Sequence, residues 1–281
     1  MVVSLANLKI LLEKLLSAIG MLNTTRNLTR KLRFLNRKAN LIYKLKRWYI
    51  ISKVYPNNYD KQCYYLTKKL GRRYFLMDTG IINKGLRHDP ASKYFIIKGN
   101  WDTGKNIGKL TSDNQEENMD DVYGYIAVKQ LFIDKIPYKE CDQYKDMVQK
   151  IGSPYTKNYN CKSVNDVNRY FERLINAYMD IRESGYKTQA QLQETKNNSG
   201  DKDDEIAVYI DRYGRFLQAT RGGVHRMAIA KILSVKQVPV ILWGVHDEWA
   251  KHCFKKYKTD VLSSIYLYID DVMKSLLSKI Y

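Results

Sequence analysis

Apolar residues recur along this chain with two distinct periods, and the change from one to the other marks its elements. Leu5, Leu8, Leu12, Leu15 and Ile19 line one helical face closed by Gly20, and Leu28, Leu32, Leu35, Ala39, Ile42 and Leu45 repeat the spacing ahead of Pro56. Short runs around Leu70–Leu76 and Lys93–Lys98 read as strands, and residues 113–121 as an acidic loop. Val164, Val167, Phe171, Leu174, Ile175 and Tyr178 form a helical stripe capped by Ser163, in a helix ended by Gly185. Then the period shortens. Ile206–Ile210 and Arg215–Ala219 read as strands joined by a Tyr213-Gly214 turn; two glycines, a helix from Met227 to Leu233 and a strand from Val238 to Trp243 follow. A last amphipathic stripe runs from Val261 to Ile280. Alternating strands and helices predict an α/β (α+β) fold.

Gly222-Gly223-Val224-His225-Arg226 carries the clearest chemistry. Two glycines let the backbone take positive φ and approach a ligand closely, and the helix that follows points unpaired N–H groups and its positive dipole end at the same spot. Cationic side chains in a first helical turn oppose that dipole, so His225 and Arg226 make sense there if an anion lies between them. A tight strand-to-helix connection with solvated side chains accounts for the same residues without a ligand.

The stretch Gly223-Val224-His225-Arg226, followed by an Ala-rich helix and Val238-Pro239-Val240, resembles the second conserved box of the ParB/sulfiredoxin superfamily. Upstream, 177–189, a helix ending in Gly185 and followed by Tyr186 and Gln189, is similar to its first box. The chain looks closest to uncharacterised ParB-like proteins that carry a Gly-x-Trp-Asp stretch, here Gly99–Asp102, and a His-x-x-Trp, here His246–Trp249. The likeness spans roughly residues 165–250. It implies a sulfiredoxin-like module in which Gly222, Gly223, Val224, His225 and Arg226 hold the phosphates of ATP or CTP, with Mg2+. Val224 stands where sulfiredoxins have a catalytic Cys and ParB-type kinases a Glu, which argues against sulfinic-acid reduction and leaves binding better supported than catalysis. For an NTPase or kinase, the missing carboxylate would come from Asp102, Glu183 or Asp211.

Charge adds a second theme. The 281 residues carry a net charge of +19 with pI near 9.6, which points to polyanionic partners. No acidic residue occurs between Glu13 and Asp60, while Arg26, Arg30, Lys31, Arg33, Arg37 and Lys38 accumulate on the basic helix. Such a helix suits nucleic acid phosphates, an anionic membrane surface or an acidic partner, and a ParB-type nucleic-acid-binding protein is the alternative reading, ahead of a nuclease. Four scattered cysteines and four histidines show no metal spacing and imply a reduced, cytoplasmic protein. Residues 1–22 read as neither signal peptide nor spanning helix. Gly104–Lys109 fails as a P-loop, because the glycines are too close and Leu110 replaces the Ser or Thr that meets magnesium. The expected organisation is a basic helical region over 1–55, a mixed segment over 56–162, the nucleotide-binding module over 163–255 and a C-terminal helix over 256–281, the last a candidate homodimer contact.

Overall fold

The computed structural model describes residues 42–109, 123–154, 156, 159, 161–194, 205–220 and 222–277. The chain divides into two compact units, Met1–Val54 and Tyr55–Tyr281. In the first, helix α1 covers 42–54 and stops ahead of Pro56, as the proline requires. Its Lys44, Lys46, Arg47 and Lys53 are exposed, and Trp48 is its one buried apolar side chain.

The second unit is a mixed α/β fold. Its helices are α2 (Tyr59–Tyr65), α3 (Lys68–Gly71), α4 (Tyr123–Phe132), α5 (Asp142–Gln149), α6 (Val164–Ser184), α7 (Gln189–Glu194), α8 (Val224–Ile232), α9 (Asp247–Tyr257) and α10 (Val261–Leu277). Its strands are β1 (Tyr74–Asp78), β2 (Lys84–Leu86), β3 (Ile96–Ile97), β4 (Ile107–Lys109), β5 (Ile206–Ile210), β6 (Phe216–Gln218) and β7 (Gln237–His246). They form one sheet in the order β1-β7-β5-β6-β2-β4, with β3 also paired to β7. Strand β7 is the spine: β1 runs antiparallel along its first half, β3 parallel at its end, and β5 parallel on the other side.

Every residue of β5 is buried, the mark of a strand covered on both faces. Ala207, Tyr209, Leu217 and Ile241 share one face with Leu86 and Ile97, over which Trp101, Ile107 and Trp243 pack. Ile206, Val208, Val240 and Leu242 alternate onto the other, where α4 and α8 pack and the Tyr125 hydroxyl reaches Gln218 Oε1 at 3.4 Å. Helix α6 joins this layer by stacking Tyr178 on Phe132, centroids 3.8 Å apart. Ser163 caps α6 by accepting from the Asp166 amide, and Gly185 ends it at φ 76°.

Two expectations need correction. Residues 56–162 are not a separate segment, since β1 pairs with β7 and β2 with β6, so both halves of the chain build one sheet; α10 joins the same unit, its Asp270 bridging Arg73 at 2.7 Å. The strand expected at Leu70–Leu76 begins at Tyr74, because Lys68–Gly71 forms a helical turn that sets Gly71 against the Phe95 ring, where a Cβ would come within 2.1 Å. Among the described residues, no helix is long and apolar enough to cross a membrane.

Candidate functional site

Strand β6 leads through Ala219 and Thr220 into the glycine turn. Gly222 has φ 94° and Gly223 φ 72°, the left-handed region in which a Cβ is strained. Close packing reinforces the requirement: a Cβ on Gly223 would come 2.9 Å from the Ile206 backbone, and one on Gly222 3.0 Å from the Ala207 Cβ. The turn is thus pressed against the first residues of β5, and Gly222 O accepts from the Ala207 amide at 3.2 Å. Gly223 is the N-cap of α8, and no side chain caps the helix. Met227 N returns to Gly223 O at 2.8 Å, while the amides of Val224, His225 and Arg226 belong to the first turn, which has no partners within the helix.

The two basic residues point elsewhere. Arg226 donates to Glu205 Oε2 at 3.2 Å and to Lys187 O at 2.7 Å, and its guanidinium lies over the Tyr186 ring at 4.6 Å. Glu205, buried just before β5, accepts from the Gln189 amide through its other oxygen at 2.5 Å. Arg226 therefore ties the start of α8 to the loop after α6 and to the start of β5, and its charge is matched by a protein carboxylate. His225 turns into the helical layer, where Tyr170 Oη lies 3.2 Å and Gln143 Oε1 3.3 Å from Nε2. The residue keeps partial exposure, but its imidazole is desolvated, and burial pushes its pKa down to about 4. At neutral pH it is uncharged. The expectation of two cations flanking a phosphate is corrected accordingly: what the turn offers an anion is backbone N–H and the helix dipole.

The three candidate carboxylates do not gather there. Asp211 lies at the far end of β5, five residues beyond Ile206, which is ~17 Å of extended chain. Its Oδ1 accepts from the Tyr213 and Arg215 amides and its Oδ2 from Arg215 Nε at 2.6 Å, holding the β5–β6 hairpin turn. Asp102 is buried beside it and accepts from Arg212 N at 2.8 Å and Nη2 at 2.7 Å. Burial alone would raise its pKa, but the hydrogen bonds from the Arg212 side chain and amide, with the nearby His246, hold it below the usual carboxylate range. Glu183 is exposed near the end of α6 and pairs with Arg182 at 3.3 Å. None of these serves as a base at the glycine turn as placed.

Sequence reasoning missed Glu205, Gln143 and Tyr170. Glu205 was legible in principle as the last residue of the acidic run Asp203-Asp204-Glu205 directly before an apolar strand, whereas the other two come from α5 and α6 and meet His225 only through the fold. The basic residues Arg26, Arg30, Lys31, Arg33, Arg37 and Lys38 lie outside the described residues. Among the described residues, no group of three or more His, Cys, Asp or Glu side chains could hold a metal ion. No protein-family model, curated protein or solved structure matches this chain.

Proposed function

We propose that the chain is a nucleoside-triphosphate-binding protein of ParB/sulfiredoxin-like type, which takes the phosphates of ATP or CTP on the Gly222-Gly223 turn. The observation that carries this reading is the meeting of the two boxes: Arg226 bonds Lys187 O and Glu205, and Glu205 bonds the Gln189 amide. The two stretches that resemble the superfamily's first and second boxes thus adjoin through hydrogen bonds, in part by way of Glu205. The uncapped N-terminus of α8 and the left-handed glycines supply the donors and the close backbone approach that a polyphosphate needs. A divalent ion would arrive with the nucleotide and be held largely by its phosphates.

The reading is binding rather than turnover. NTPase or kinase chemistry at the turn needs a free carboxylate there; Asp102 and Asp211 are committed to the opposite end of β5, Glu183 is exposed on α6, and Glu205, which does adjoin the turn, is held by Arg226 and the Gln189 amide. We read the protein as cytoplasmic, where its four free cysteines stay reduced.

Calorimetric titration of ATP and CTP with magnesium, combined with amide chemical shifts of the isotope-labelled protein, tests this. Micromolar binding, about −8 kcal/mol, is expected, with the Gly222, Gly223 and Val224 amides moving on the same saturation curve. Absence of heat, or shifts confined to other regions, would remove the proposal.

A second reading rests on the charge. Four exposed cations on α1 continue the basic run of 26–38, and nucleic acid phosphates are the partner such a surface suits best. It can coexist with nucleotide binding.

A further inference from the structure

A second feature lies along β3, away from the glycine turn. There a cleft of about 650 Å³ opens between α2 and the loop after β3, with Asp60, Tyr64, Tyr94, Lys98, Asn100 and Trp101 in its walls. The volume falls in the range of small-molecule sites.

One wall is held by an arrangement that the glycine turn does not use. Gly99 takes φ 94°, and its carbonyl accepts from His246 Nε2 at 2.9 Å and Arg212 Nη2 at 3.2 Å. The His246 tautomer is set by its other nitrogen, which accepts from the Glu248 amide at 3.1 Å. Asp102, fully enclosed, fixes Arg212, while Asn106 Nδ2 donates to Trp101 O at 2.6 Å. The Trp101 indole N–H donates to Ile97 O, and its ring packs 5.7 Å from Tyr209 and 5.8 Å from His246. Two side chains are positioned as a result. Trp101 presents a fixed aromatic surface. Asn100 has its Oδ1 held by Arg212 Nη2 at 2.9 Å, which orients the amide and leaves Nδ2 without a hydrogen bond among the described residues.

The remaining walls indicate what would fit. Tyr94 and the 65% exposed Tyr64 place their rings 6.2 Å apart with a 36° tilt. The charged pair at the cleft, Asp60 and Lys98, sits 3.6 Å apart and mostly in solvent, so the charges offset one another. Three aromatic rings, one oriented amide donor and no net charge suit a flat, neutral ring that carries a hydrogen-bond acceptor.

We propose that this cleft is a second ligand site, for a neutral planar heteroaromatic ring of nucleobase type that stacks on Tyr64, Tyr94 and Trp101 and accepts a hydrogen bond from Asn100. The proposal is independent of the glycine turn, because a nucleoside has no phosphate to place there.

The test is calorimetry with adenosine, guanosine, cytidine and uridine titrated into the full chain, with methyl β-glucoside as a control for aromatic surfaces that take sugars. At least one nucleoside is expected to bind saturably, and Y64A and N100A each to weaken it about ten-fold. Both residues are exposed, so the variants should keep the wild-type melting temperature. Excess inorganic triphosphate should leave nucleoside binding unchanged. The proposal is overturned if no nucleoside saturates, if both variants bind as the wild type does, if only the glucoside binds, or if triphosphate displaces the nucleoside.

Discussion

The imidazole of His225 lies against Gln143 and Tyr170, beside a glycine on α4 whose missing side chain makes room for α8: a Cβ on Gly124 would sit 2.7 Å from Val224 Cγ1 and 3.3 Å from His225 Nε2. That setting turns a motif histidine into a packed neutral group. The linkage to stability has a definite sign. The folded-state pKa is about 4 against an ordinary 6.5, so between those values the unfolded chain binds a proton that the folded chain refuses, and stability is lost as pH falls through that window. The slope from this residue is at most about 1.4 kcal/mol per pH unit. In urea melts between pH 7 and pH 5, H225Q should lose less stability than the wild type, because its amide can retain the polar contacts without titrating. Equal losses would mean that His225 titrates freely. The same residue shows why its role was hard to read from sequence. Spacing places His225 on the first helical turn, but only the helices stacked over α8 decide whether it faces solvent or the interior.

At the scale of elements, Glu205 and Arg226 fasten the start of β5 to α8 and to the loop after α6. Both side chains are largely buried, 4% and 15% exposed, so removing one leaves the other poorly compensated. E205Q or R226M alone should cost about 3 kcal/mol. The double variant should cost less than the sum by at least ~1 kcal/mol, measured by a double-mutant cycle in urea. Strict additivity would mean that the two act separately. Elements with a strong period were legible: the hairpin of β5 and β6, helix α8, strand β7 and the long helices α6 and α10 all stand where the spacing put them. What escaped were strands β2 and β4 and the helices α2 to α5, α7 and α9, for which no apolar stripe was read. Strands β2 and β4 are too short to show alternation and exist only because β6 pairs with β2 and β2 with β4. The site was half legible for a related reason, since the turn follows from local backbone rules while the directions of His225 and Arg226 follow from long-range packing.

For the whole molecule, charge is the property most open to measurement. If Arg26, Arg30, Lys31, Arg33, Arg37 and Lys38 each neutralise one phosphate, the logarithm of duplex DNA affinity should fall against the logarithm of salt with a slope of roughly −5. Replacing the six by alanine should flatten it; a slope near zero in the intact protein would remove nucleic acid from consideration. The nucleotide binding proposed for the glycine turn should be indifferent to those substitutions, so the two proposals can be tested separately.

Because β7 carries β1, β3 and β5, the sheet cannot be completed before Gln237–His246 exists. Tyr74 pairs with Ile241, and a ribosome adding about 5–20 residues per second needs roughly 10–30 s to travel from one to the other. Through that interval β1 and β3, with apolar side chains such as Met77, Ile96 and Ile97, have no edge to join. A nascent chain of this design keeps those apolar strands exposed until translation reaches the spine, and truncating the Tyr55–Tyr281 unit just before β7 should yield an aggregate rather than a smaller domain.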